Sequence, residues 1–215
     1  MNTKTFVIAD THFGHDNICK FTREDGTKLR PWNDVNEMNQ ALIDNWNSVV
    51  RKQDMVYVLG DFTVNKKWVG VARQLAGRKI LVAGNHDSAT PQMYMDAGFG
   101  DVRGCHVLYK KEVLLTHIPV HESQLARFSG GNIHGHLHDH SQLGVRTVLR
   151  DRYDGHKFLD EEEYVHPLYL CVSVEQPYVN YTPLLLEEAL HLLKEKKNGK
   201  GIVGPHATVR DGLRN

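Results

Sequence analysis

The chain has little cysteine, no long apolar run and no excess of charge, and each shortage excludes something. Its 215 residues carry only three cysteines, Cys19, Cys105 and Cys171, odd in number and far apart. That spacing fits neither a disulfide framework nor a zinc finger, and suits reduced thiols in a cytoplasmic protein. No apolar stretch approaches the roughly 20 residues a spanning helix needs. The opening MNTKTFVIADTHFG turns polar too early for the core of a signal peptide, so no membrane partner is expected. Lys and Arg number 26 against 26 Asp and Glu. Without a basic excess, strong duplex nucleic-acid binding is not expected, although a nucleotide or short single strand stays open as a substrate. Internal repeats and linkers are also missing. A single domain over residues 1–199 is therefore expected, followed by a loose tail at 200–215 that has no periodicity.

What the chain does have is a recurrence of short apolar runs that end in polar turns. KTFVIA (4–9) leads into DTHFGHDN, MVYVL (55–59) into GDF, KILVA (79–83) into GNHD, and EVLLT (112–116) into His117. Each run has the length and the Val, Ile and Leu content of a strand buried on both faces. Between them, DVNEMNQALIDNWNSVV lines Val35, Met38, Leu42, Trp46 and Val49 along one helical stripe, with Asp34 and Glu37 at capping-box spacing. Residues 66–77 read as a second helix stopped by Gly77, and TPQMYMDAG as a third with Pro91 in its first turn. Strands alternating with helices indicate an α/β fold. Further strands are expected at 102–109, 131–135, 143–150 and 168–174, with Lys110-Lys111 turning a hairpin. The charged segment 151–164 reads as an exposed insertion. The stretch from Leu184 reads as a last helix capped by Gly199.

The stretch NIHGHLHDH sets His134, His136, His138 and His140 at every second position. On an extended strand such residues share one face. Neutral imidazole is the commonest metal ligand, but an exposed polar face would show the same spacing. The other polar clusters are Asp10-Thr11-His12, Gly60-Asp61, Gly84-Asn85-His86-Asp87 and the lone His117. Each has an ordinary reading, as a strand-to-loop turn, a helix cap or a satisfied near-core histidine. Taken together, five clusters at the ends of apolar strands supply ligand types that divalent metals prefer. They also sit where ligands bind in α/β sheets.

D-x-H, G-D, G-N-H-D, a lone His and G-H-x-H, in this order from Asp10 to His138, resemble the motifs of the calcineurin-like metallophosphoesterase family. VSVEQPYVNYTPLLL and FGHDN resemble its small prokaryotic and phage-type branch. The resemblance implies a four-layer α/β-β/α sandwich, two facing mixed β-sheets flanked by helices. It implies two divalent metal ions, one held by Asp10, His12, Asp61 and His138 and the other by Asp61, Asn85, His117 and His136, with Asp61 bridging. Manganese is the working choice, and Fe, Zn, Co or Ni would also suit such ligands. It implies that His86 contacts the phosphate and protonates the leaving oxygen while Asp87 orients its ring. Leu137, between the two histidine ligands, is expected to face the core, and His134 and His140 are left over.

Hydrolysis by a metal-bridging hydroxide needs no serine or cysteine nucleophile. Two ions, two aspartates and a hydroxide leave a site charge of about +1, suited to an anionic ester. The favoured activity is a phosphodiesterase acting on a small, nucleotide-type ester. A nucleotide or phosphoprotein monoesterase is the alternative, with a nuclease or a non-catalytic scaffold behind it. His15, Asn17, Arg30, Trp32 and Arg127 are candidates to grip the rest of the substrate, each with an ordinary surface or packing role as its rival. Phe13 is divided between base stacking and the core.

Overall fold

The computed structural model describes residues 2–152 and 156–199. Its first sheet is built from the expected apolar runs. β1 (Thr5–Ile8), β2 (Met55–Val58), β3 (Arg78–Val82) and β4 (Phe99–Arg103) lie parallel in that order. Parallel neighbours need crossovers. These are α1 (Val35–Val49), a 3-10 segment at Lys66–Gln74, and α2 (Pro91–Asp96). The second of these was expected as an ordinary helix and is instead wound throughout as a 3-10 helix. Asp34 caps α1 by accepting from the amides of Asn36 and Glu37. The reciprocal bond of a capping box is displaced by one residue, since the Glu37 carboxylate accepts from Asn33 N. Side chains alternate across β1. Phe6 and Ile8 pack with Met38, Leu42 and Trp46 of α1, while Val7 and Ala9 face the second sheet.

The second sheet contains β5 (His106–Leu108), β6 (Val113–Leu115), β7 (Gly131–His134) and β10 (Tyr169–Cys171), in the order β10-β7-β6-β5. The single strand expected at 102–109 is two. It breaks at Gly104-Cys105, where the chain leaves the edge of one sheet and enters the edge of the other. Lys110 and Lys111 belong to a 3-10 turn between β5 and β6, which pair antiparallel. Val7, Leu59, Val82, Leu115, Ile133 and Leu170 form the core between the sheets. Leu184–Leu185 is a strand, β11, antiparallel to β1. The last helix, α3 (Leu186–Lys197), therefore starts two residues later than expected, and it adds Ala189 and Leu193 to the shared core. Gly199, at φ +75°, follows its C-cap. The architecture is thus two mixed sheets with flanking helices.

Residues 143–165 depart from the expectation. β8 (Leu143–Asp151) joins neither sheet and pairs antiparallel with β9 (Lys157–Val165). Residues 157–164 of the charged segment therefore lie in one arm of an exposed two-stranded ribbon, held by pairs such as Arg150–Asp160 at 2.7 Å. The run Asp160 to Glu163 lies on β9 because both faces of the ribbon are largely open to water, and composition alone presents such a run as a loop. The expected tail at 200–215 lies outside the described residues.

Candidate metal centre

Beyond their last paired residues, β1 and β2 continue side by side. Leu59 N donates to Ile8 O at 2.7 Å, Asp10 N to Gly60 O at 3.0 Å, and His12 N to Asp61 O at 3.0 Å. This brings three candidate ligands together at one end of the sheet. In the second sheet β6 and β7 likewise continue side by side, Gly135 N donating to His117 O at 2.9 Å, and His136 N ties this sheet to the first by donating to Asp10 Oδ2 at 2.9 Å. The described residues include eight non-glycine positions with positive φ, and five of them are Asp10, His12, Asp61, His136 and His138. Such backbone costs about 1–3 kcal/mol per residue and persists only where the surroundings hold it. Here it turns side chains off the strand ends towards one volume.

Two groups converge there. Asp10, His12 and His138 each offer a ligand atom within 4.8 Å of the others, and so do Asp61, His117 and His136. Asp61 Oδ2 lies between them, 3.6 Å from His12 Nε2, 3.4 Å from His117 Nε2 and 4.0 Å from His86 Nε2. Its other oxygen accepts from His86 N at 2.9 Å. Asp10 Oδ2 accepts from Ser173 Oγ and His136 N, while Oδ1 is buried without a partner. Burial pushes the Asp10 carboxyl up to about 6.

The donor set fits a pair of cations. Both ring nitrogens of His12 are buried without a hydrogen-bond partner, a costly arrangement for an imidazole with no ligand. His117 Nδ1 is 2.9 Å from Leu59 O, an acceptor, so Nδ1 carries a proton, and in the neutral ring that a metal requires Nε2 holds the lone pair. That lone pair faces Asn85 Oδ1 at 2.8 Å and Asp61 Oδ2 at 3.4 Å. Three acceptors meeting at one point call for a cation between them. The close approach leaves no room for side chains on the neighbouring turns. A Cβ at Gly84 would meet Asp61 Oδ1 at 2.3 Å, and one at Gly135 would meet Asp10 Oδ2 at 2.6 Å.

Other residues stand differently from expectation. His136 and His138 lie beyond β7, which ends at His134, so a turn and not strand alternation aims them. Leu137 is half-buried on a cleft wall and does not face the core. His134 is buried behind the site, with Nδ1 2.7 Å from Gly135 O, and burial holds it down to about 4. His140 is exposed beside Asp139. The His86 side chain, 49% exposed, stands at the mouth. Asp87 has turned away from it. Its carboxylate accepts from Asp61 N, Phe62 N and Gly84 N at 2.8–3.0 Å and from the Tyr94 hydroxyl. It therefore positions the loops that carry Asp61 and Asn85. Phe13 belongs to the core, beside Phe62. Trp32 packs on Tyr181, and Asn17 accepts from Lys20 at the surface. Arg127 is an exposed C-cap.

Arg30 is the largest departure. It is fully buried and donates to the carbonyls of Asp10 and Thr11 and to Glu175 Oε1. Glu175 Oε1 lies 3.1 Å from His138 Nδ1, which leaves the Nε2 of that ring for the cluster. Gln176 Nε2 donates to the carbonyls of His138 and His140. Sequence reading missed Ser173, Glu175 and Gln176. A signal was present in VSVEQ, where two polar residues alternate with buried valines and so point into the protein from a strand-like run.

The sequence profile of calcineurin-like phosphoesterases matches residues 3–210. The chain belongs to the calcineurin-like phosphoesterase family. It is therefore a metal-dependent phosphoric ester hydrolase, and the family uses divalent metals in a dinuclear site. The chain is similar to the uncharacterized protein MJ1445 of Methanocaldococcus jannaschii, 32% identical over 90% of this chain and 93% of that protein. It is also similar to the Gene 66 protein of Mycobacterium phage L5, 28% identical over 76% of this chain and 99% of that one. These relatives suit a small prokaryotic and phage-type branch. A solved structure, the protein of unknown function AQ665 from Aquifex aeolicus, shares the fold with a TM-score of 0.54 at 23% identity, covering 89% of this chain and 100% of that one. No helix among the described residues is long and apolar enough to cross a membrane.

Proposed function

We propose that this phosphoesterase is a cytoplasmic phosphodiesterase acting on a small, nucleotide-type ester with two divalent ions, manganese being the working choice. Asp10, His12, Asp61 and His138 hold one ion, and Asp61, Asn85, His117 and His136 the other. The observation that carries this assignment is the placing of Asp61 Oδ2 within 4.0 Å of three imidazoles, two of them from different clusters. When bound, such a pair supplies Lewis acidity and a nucleophile from water at neutral pH.

The chain's own residues do the rest. His86 stands at the mouth, tied by its amide to Asp61, and gives its proton to the leaving oxygen; general acids of this kind contribute roughly 10²–10⁴ in rate. Asp87 holds Asp61 and Gly84 in place, and Glu175 turns His138. The diester preference is supported by the arginines. Arg30 is consumed beneath the site and Arg23 is paired with Asp139 at 3.2 Å, so neither is free to clamp a dianionic terminal phosphate. The free cysteines suit a reducing compartment. The test is to strip the metals, reload Mn²⁺ and compare an aryl phosphodiester with its matching monoester. A diester preference of tenfold or more supports the proposal, and a monoester preference replaces it with a phosphomonoesterase.

A further inference from the structure

The metal ligands also form the wall of a cleft. His136, Leu137 and His138 line it from the loop after β7, and Phe21 and Leu29 line it from another segment of the chain. Its volume is about 430 Å³, within the range of roughly 300–1,000 Å³ typical of small-ligand sites. A larger cleft, about 830 Å³, lies at the other end of β1 and is lined by none of the site residues.

Three features make this cleft more than a surface groove. Phe21 leaves 48% of its surface exposed although it follows a tightly hydrogen-bonded 3-10 turn that could have buried it. A row of rings links it to the candidate metal ligands. Phe21 meets His15 edge-on at 5.9 Å, His15 meets His12 at 5.6 Å, and His12 stacks on His138 at 5.3 Å. His15 is itself held, since its Nδ1 accepts from Ile18 N at 3.0 Å. An ion pair also bridges two segments of the lining. Arg23 donates to the carbonyls of Lys28 and Leu29 and pairs with Asp139, which joins the 22–29 loop to the loop that carries the histidine ligands.

We infer that this cleft receives the nucleoside part of a phosphate ester, with the base stacked on Phe21 and the phosphate turned towards His136 and His138. The assignment rests on the phosphodiesterase reading and names the substrate class for it. A half-exposed aromatic ring that lines the same cleft as Leu137 and two candidate metal ligands suits a planar ring carried one sugar away from a phosphate. An acidic peptide or a simple alkyl ester would gain nothing from Phe21.

The Mn²⁺-loaded full chain is assayed on two diesters with the same leaving group, thymidine 5′-(p-nitrophenyl phosphate) and methyl p-nitrophenyl phosphate. Wild type should prefer the nucleoside ester at least tenfold. Phe21→Ala should erase that preference through KM, by roughly the tenfold that losing one base–aromatic stack produces, and Phe21→Trp should keep it. Methyl ester turnover should be unchanged in both variants. Equal turnover of the two esters by wild type, or equal losses on both in Phe21→Ala, overturns the assignment. Calorimetric binding of thymidine 5′-monophosphate separates the two readings. If neither ester is turned over but binding persists and weakens in Phe21→Ala, the phosphodiesterase reading falls and the cleft assignment stands. Binding that ignores Phe21 removes the cleft assignment by itself.

Discussion

The Nδ1 of His117 lies 2.9 Å from the carbonyl oxygen of Leu59, and this contact sets what the far side of the ring can do. With one proton committed to a backbone oxygen of the β2 end, the neutral ring presents its lone pair to Asp61 and Asn85. A fold-level contact thus selects the tautomer of a candidate ligand.

Asp61 is the first residue to test. Asp61→Ala should lose both ions and all turnover, because one carboxylate serves both clusters. Metal content after chelation and Mn²⁺ repletion is the direct readout, and two ions per chain in that variant would refute the bridging assignment.

His86 and Asp87 are neighbours with different work, and substitution should separate them. His86→Ala should keep the metals and the thermal midpoint, and lose rate more on alkyl than on aryl esters. Asp87→Ala strips partners from three amides that sit beside the site, and the loss of buried hydrogen bonds costs about 1–3 kcal/mol for each group left unpaired. Its thermal midpoint should fall by several degrees before any effect on rate is considered. Equal melting of the two variants would contradict the positions described above.

Glu175 should matter for metal at one cluster only. Glu175→Gln keeps the shape but removes the charge that faces Arg30 and His138. Outer-shell partners of this kind change metal affinity by roughly 10–100-fold. Titration should show one of two ions weakened, and Glu175→Ala should also unfold more readily, since a buried charge left unpaired costs about 3–5 kcal/mol.

The turns themselves can be probed at Gly84. Gly84→Ala places a methyl 2.3 Å from Asp61 Oδ1, against a carboxylate that several contacts hold. Metal binding should be lost at a position that is no ligand. Retained binding would mean that the loop moves more freely than its hydrogen bonds suggest.

Lys196 makes a prediction about pH. Its ammonium donates to Tyr169 O, and burial lowers its pKa from 10.5 to about 8. Below pH 8 the folded and unfolded states both carry the charge, and folding bears the full cost of burying it. Between pH 8 and 10.5 the folded state is neutral, so this cost is relieved as pH rises. Lys196→Met should therefore gain stability relative to wild type at pH 7, by about 1–2 kcal/mol once partial exposure is discounted, and the gain should shrink towards pH 10. Paired thermal melts at the two pH values check the sign.

The sequence by itself determined the parallel sheet, the strand ends and the residue types gathered there. Buried strands write continuous apolar runs, and polar clusters that follow such runs stand out against them. What it misjudged depended on partners distant in the chain. Nothing local distinguishes an arginine beside Pro31 that folds over a pocket from one that lies beneath it, and Arg30 is buried by partners distant in the chain, the carbonyls of Asp10 and Thr11 and the carboxylate of Glu175, 145 residues away. Asp87 follows His86, yet its oxygens face amides of another loop. The 143–165 ribbon has strand-like alternation, but whether such a strand joins a sheet is decided by whether an edge is free to receive it. The histidines of NIHGHLHDH alternate in sequence, but the strand ends at His134 and does not carry that alternation to His136 and His138. The tertiary structure decided their aim through a left-handed turn after β7, tied by His136 N to Asp10 across the two sheets, a contact that exists only once both sheets are packed.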